Sequence, residues 1–201
     1  MDKKLKEIPT AELRSILQKY KNSLVVYEKK PVRKFFLCPV GLVGAGKTTV
    51  LKPLAEQMQT VRVSTDEIRR ILKNKGYNYD FVGEIALKLI EDFAKEGYSV
   101  AIDADCVNKK DNIEKLAKEA GAKIIWLHIN PPEEFIINKL RNFKNGWLVE
   151  DNEEMVRNYF ERKSLHQKLD FPFLYVFDTS KNNLKEQIKE AEDLIKGELK
   201  I

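Results

Sequence analysis

Long apolar runs are missing from this chain. No stretch approaches the roughly 18 apolar residues needed to span a bilayer, so no membrane-crossing helix is expected. The opening residues, MDKKLKEIPT, contain no apolar signal core, and a cytoplasmic protein is expected. Cysteine is scarce: only Cys38 and Cys106 occur in 201 residues. They have no metal-ligand spacing, and two reduced thiols are expected. Histidine is equally scarce, and no nucleophilic partner is identifiable for either residue. His128 sits in an apolar strand-like run and reads as core, while His166 lies near a helix end, where positive charge suits the dipole. Repeats and low-complexity linkers are also lacking. Apolar residues reach 43% and charged residues of both signs 33%, which excludes the disordered class. The net charge of +5, with a pI near 9.0, suits a polyanionic ligand such as a nucleotide or nucleic acid.

Strand-like and helix-like stretches alternate almost to the end. Short apolar runs at 32–40, 61–64, 98–103, 123–129 and 173–178 read as strands. Between them, Ile85, Leu89 and Phe93 recur at helical spacing, and Gly121 stops a helix over 110–120. Pro131 and Pro132 open another helix. Asp151 and Glu154 cap the next, and Leu184, Ile188, Ala191 and Ile195 mark the last. This pattern predicts an α/β fold: a five-stranded parallel sheet with helices on both faces. Residues 1–31 form an N-terminal extension with one helix over 10–19, and 32–201 form the main domain.

One motif stands out. Residues 41–48 read Gly-Leu-Val-Gly-Ala-Gly-Lys-Thr and match G-x-x-x-x-G-K-[S/T] at every fixed position. Average composition gives about one chance in a hundred of such a match in a chain this long. The motif also follows a β-prone run and opens a helical one, as a P-loop must. Glycine lets the backbone approach phosphate closely. The N–H groups of Gly44 to Thr48 can form an anion nest, and the helix start adds its positive dipole end. The expected triphosphate cradle is Gly41, Val43, Gly44, Ala45, Gly46, Lys47, Thr48 and Thr49. Lys47 would meet the β- and γ-phosphates, and Thr48 would ligate Mg²⁺.

Parallel strands gather their C-terminal ends on the ligand side. The second strand runs into Ser64-Thr65-Asp66-Glu67-Ile68-Arg69-Arg70. Asp66 would there accept the proton of an attacking hydroxyl, with Arg69 on the same helix face. The competing reading is a capping box between Ser64 and Glu67, with Asp66 complementing the dipole. Asp103, at the end of the third strand, is the expected Mg²⁺ residue; Asp105 could face an acceptor. Between two helices, Arg141 and Lys144 lie in a basic segment that could close over the triphosphate. Trp126 and Trp147 read as packing residues.

GLVGAGKT, STDEIRR, AIDAD and LRNFKNG, in this order, resemble the polynucleotide-kinase-type P-loop kinases over about residues 33–197. The phage-type polynucleotide 5′-hydroxyl kinase domain has the most similar layout, and seryl-tRNA kinases and zeta-toxin-like small-molecule kinases share much of it. The resemblance implies an adenylate-kinase-like sheet ordered 2-3-1-4-5 and a short helical lid around 141–150. It implies Asp66 as base, Arg69 as its partner, and Thr179 bordering the adenine. Asn145 stands where these kinases carry a second lid arginine, leaving the donor clamp to Arg141 and Lys144. The implied activity is ATP- and Mg²⁺-dependent phosphate transfer to a polynucleotide 5′-hydroxyl or to a small hydroxyl compound. A nucleotide-dependent switch is the alternative from another class, and a P-loop module whose residues 1–31 dock a partner is a third.

Overall fold

The computed structural model describes residues 8–144, 151–167 and 169–201. Its centre is β1 (Phe35–Val40), every residue of which is buried. Side chains alternate across a strand with period two, and here the alternation separates two cores. Phe36, Cys38 and Val40 point into one apolar cluster, and Phe35 and Leu37 into the other. A strand apolar on both sides needs helices on both faces.

The remaining strands are β2 (Val61–Ser64), β3 (Val100–Asp103), β4 (Lys123–Ile129) and β5 (Phe173–Phe177). All pair in parallel, in the order β2-β3-β1-β4-β5. This is the expected five-stranded sheet of adenylate-kinase type. One core cluster lies under α1 (Thr10–Ser23), α3 (Thr65–Asn74), α4 (Val82–Lys95) and α5 (Lys110–Ala120). The other lies under α2 (Lys47–Gln57), α6 (Glu133–Arg141), α7 (Asn152–Lys163) and α8 (Leu184–Leu199). Among the described residues no helix is long and apolar enough to cross a membrane.

Several boundaries differ from expectation, the third strand beginning at Val100 and the fifth ending at Phe177, and two of the differences have identifiable reasons. The first strand begins at Phe35, not at residue 32, because Phe35 already pairs with Lys123, the first residue of β4. Val32 is accordingly 88% exposed. The first helix runs on to Ser23 because Tyr20 is buried rather than left at a fraying end. The Asp151 cap forms as expected: its carboxylate accepts from the Glu153 N–H at 2.9 Å.

Candidate active site

β1 is central, so the loop that follows it opens in the middle of the sheet's C-terminal edge. Gly44 and Gly46 have φ of 79° and 97°, in the left-handed region that glycine tolerates. Space constrains them too. A Cβ on Gly44 would lie 2.8 Å from Leu140 of α6, and one on Gly46 would lie 3.1 Å from Thr179. Gly46 caps α2, so the loop's N–H groups and the helix's positive end converge.

Lys47 folds back over the loop. Its Nζ donates to the carbonyls of Gly41 at 2.7 Å and Leu42 at 2.9 Å. Burial pushes its pKa down, opposed by the charges of Asp105, Asp66 and Asp103. Three carboxylates, two at or just past the end of β3 and one in α3, therefore act on one ammonium. Thr179 reaches the loop from below: its hydroxyl donates to the Ala45 carbonyl at 2.7 Å. Thr179 thus buttresses the cradle, whatever it does toward a base.

The Thr48 hydroxyl donates to Asp103 Oδ1 at 2.9 Å. Hydroxyl and carboxylate oxygens are the hard donors Mg²⁺ takes, and a site with one carboxylate leaves room for the waters that ion retains. The residues therefore fit the ion that the fold family implies. Burial pushes the Asp103 carboxyl up, against the opposing influence of Thr48 and Arg62. Arg62 of β2 holds Asp103 Oδ2 with one nitrogen and Glu67 with another.

The Ser64–Glu67 capping box does not form: the Ser64 side chain makes no cap hydrogen bond. Glu67 is engaged elsewhere, by Arg62 and by the Tyr20 hydroxyl at 2.9 Å. Asp66 is half-exposed and accepts from Arg69 at 2.6 Å across one helical turn. It follows Ser64 by two positions, and Ser64 pairs with Asp103 across β2 and β3, so it stands at the same edge of the sheet.

The residues expected to form a lid are arranged differently. Arg141, at the end of α6, pairs with Glu153 of α7 at 3.5 Å, both exposed. Lys144 is exposed at the end of the described stretch, and Asn145, Gly146 and Trp147 lie outside the described residues. Val43 lies in the loop and Thr49 in the first turn of α2. Trp126 is core, edge-on to Phe171.

Two features were not anticipated. His166, just after α7, meets Asp105 Oδ2 with its Nε2 at 3.0 Å, while Asp105 Oδ1 accepts from the Gly41 N–H at 3.3 Å. Burial pushes Asp105 up, but His166 and Lys47 outweigh it and hold the carboxyl below its ordinary value. Beside this pair a cleft of about 280 Å³ opens, lined by Gly41, Leu42, His128, Asn130, Tyr159 and His166 among others. His128 is half-buried, stacked on Phe173 at 4.6 Å. The second feature is Arg62 and its partners. Its signal in the sequence was a lone arginine inside the apolar run Val61-Arg62-Val63, since a charge placed in a strand requires partners.

Comparison with known proteins agrees with this fold. No curated protein matches the chain in sequence. Solved structures share the fold at low identity, three of them as follows. A chain from the PezAT chromosomal toxin–antitoxin system of Streptococcus pneumoniae is 17% identical with a TM-score of 0.60, covering 97% of this chain and 98% of that one. The APS kinase of Mycobacterium tuberculosis, in complex with AMPPNP and APS, is 17% identical with a TM-score of 0.58, covering 83% and 99%. Shikimate kinase from Acinetobacter baumannii, in complex with shikimate, is 18% identical with a TM-score of 0.52, covering 82% and 94%. The model of the AAA domain family matches residues 37–145, more than half of the chain and inclusive of the whole phosphate loop, and the protein belongs to that family.

Proposed function

We propose that the protein is a kinase that transfers the γ-phosphate of ATP to a hydroxyl group. The observation that carries this reading is the convergence of Lys47, the Thr48–Asp103 pair and the accessible carboxylate of Asp66 at one edge of the sheet. A protein that only bound nucleotide would need the first two and not the third.

Phosphoryl transfer is mostly positioning and charge neutralisation. The loop N–H groups and Lys47 hold the triphosphate. Thr48 and Asp103 would hold Mg²⁺, which when bound neutralises phosphate charge. Asp66 takes the acceptor's proton, and Arg69 keeps the carboxylate turned. Arg141 would have to leave its pair with Glu153 to reach the donor.

The motif layout favours a polynucleotide 5′-hydroxyl as acceptor. A small hydroxyl compound suits the fold equally well, because the APS and shikimate kinases are solved with small molecules bound. The cleft beside Gly41 and His166 has room for about one sugar or one base, which fits either a terminal nucleotide or a free metabolite.

Labelled ATP incubated with 5′-hydroxyl RNA and DNA, tRNA, nucleosides and sugars decides the acceptor. Transfer to at least one is expected. Lys47→Ala is expected to abolish it, and Asp66→Ala to lower the rate by about 10²–10⁴ while nucleotide still binds. Tight nucleotide binding with no transfer to any acceptor would instead make the protein a nucleotide-dependent switch.

A further inference from the structure

The chain's first helix is tied to its phosphate loop by an unbroken series of polar contacts. Tyr20 of α1 is 3% exposed. Its hydroxyl accepts from the Ser64 N–H at 2.9 Å and lies 2.9 Å from Glu67 Oε2, to which it donates. Glu67 in turn holds Arg62, Arg62 holds Asp103, and Asp103 accepts from Thr48. Ser64 is also the residue from which α3 starts, two positions before Asp66. A single phenol thus fixes the beginning of the helix that carries Asp66 and the carboxylate that shares Arg62 with Asp103.

We propose that Tyr20 is a positioning residue for the cation-facing pair Thr48–Asp103, acting through Glu67 and Arg62, so that the N-terminal helix sets how well the loop holds a metal-bound nucleotide. This rests on the kinase reading above. Arg62 divides its nitrogens between two carboxylates. Glu67 can keep its share only while it is held in place, and it is 39% exposed on its other side. Without the Tyr20 hydroxyl, Glu67 turns to solvent and Arg62 settles on Asp103. The guanidinium then competes for the oxygens a divalent cation needs. Groups that orient ligating carboxylates affect metal affinity strongly without touching the ion.

The test is nucleotide binding by titration calorimetry, with ATP in EDTA and with ATP in excess Mg²⁺. The readout is the ratio of the two dissociation constants. Tyr20→Phe keeps the ring and removes the hydroxyl; Glu67→Gln keeps the shape and removes the charge that draws Arg62. The ratio is expected to fall about fivefold in each, the worth of one ordinary hydrogen bond, with metal-free binding unchanged. Leu13→Ala, a packing change on the same helix, is expected to lower thermal stability and leave the ratio alone. If Tyr20→Phe fails to fold, Glu67→Gln carries the test. A wild-type gain from Mg²⁺ that both variants retain in full overturns the coupling alone. A wild-type protein that gains nothing from Mg²⁺ overturns the kinase reading and the coupling with it.

Discussion

At the scale of the residue, the site is governed by which charges are buried beside which partners. Asp103 and Asp105 stand two positions apart and are shifted in opposite directions. Burial dominates at Asp103. At Asp105 the His166 hydrogen bond and the Lys47 charge overcome burial. A carboxylate whose folded pKa is depressed stabilises the fold above its unfolded pKa of about 3.9, and the contribution fades as pH falls through the folded value. Asp105→Asn keeps an acceptor for the Gly41 N–H and removes the titration. Thermal midpoints measured from pH 6 to pH 2 should therefore fall less steeply for the variant than for the wild type below about pH 4. Parallel curves would mean that Asp105 does not contribute to acid sensitivity. The shape of the loop was legible in the sequence, because it depends on local spacing: glycines at the positive-φ positions and a lysine at the helix start. The Asp105–His166 contact was not, since its partners are 61 positions apart and no periodicity links them.

At the scale of the element, α1 deserves the closest test, because it lies outside the strand–helix alternation. Its buried face is Ile16 and Tyr20, within the same cluster as Ile68, Leu72 and Leu89. If the helix is an integral wall of that core, Ile16→Ala should cost about 2–4 kcal/mol in chemical denaturation, as a truncation at a fully packed site does. A cost below about 1 kcal/mol would instead describe a helix that frays independently of the sheet. The existence of α1 was legible from Leu13, Ile16 and Leu17. Its purchase on β2 and α3 was not, for the contact depends on a tyrosine hydroxyl meeting a helix start 44 positions later. The strands were found because short apolar runs between helices have few alternatives. Their ends were misjudged where pairing, not composition, sets the limit, as at Phe35.

At the scale of the whole molecule, β1 is the wall shared by two cores, and the phosphate loop is its continuation. Ligand bound at the loop should therefore stabilise both cores together. At a free concentration one hundred times its dissociation constant, a ligand that binds only the folded state adds about 2.7 kcal/mol. For a domain of this size, that corresponds to an increase of about 5–10 °C in the unfolding midpoint. Calorimetry with Mg²⁺ and ATP should show one cooperative transition moving by that amount. Two transitions, only one of which moves, would contradict the shared wall.

The two thiols offer a way to time events beneath the site. Cys38 lies within β1 and Cys106 shortly after β3; both are free and buried, and Cys106 N–H donates to the Pro39 carbonyl at 3.0 Å. Burial and the neighbouring Cys38 push the Cys106 thiol well above its ordinary pKa, so it is inert while covered. An alkylating reagent can then label the pair only as fast as the central strands part. The labelling rate is a clock for the rarest openings of the sheet, and occupancy of the loop just above should slow it.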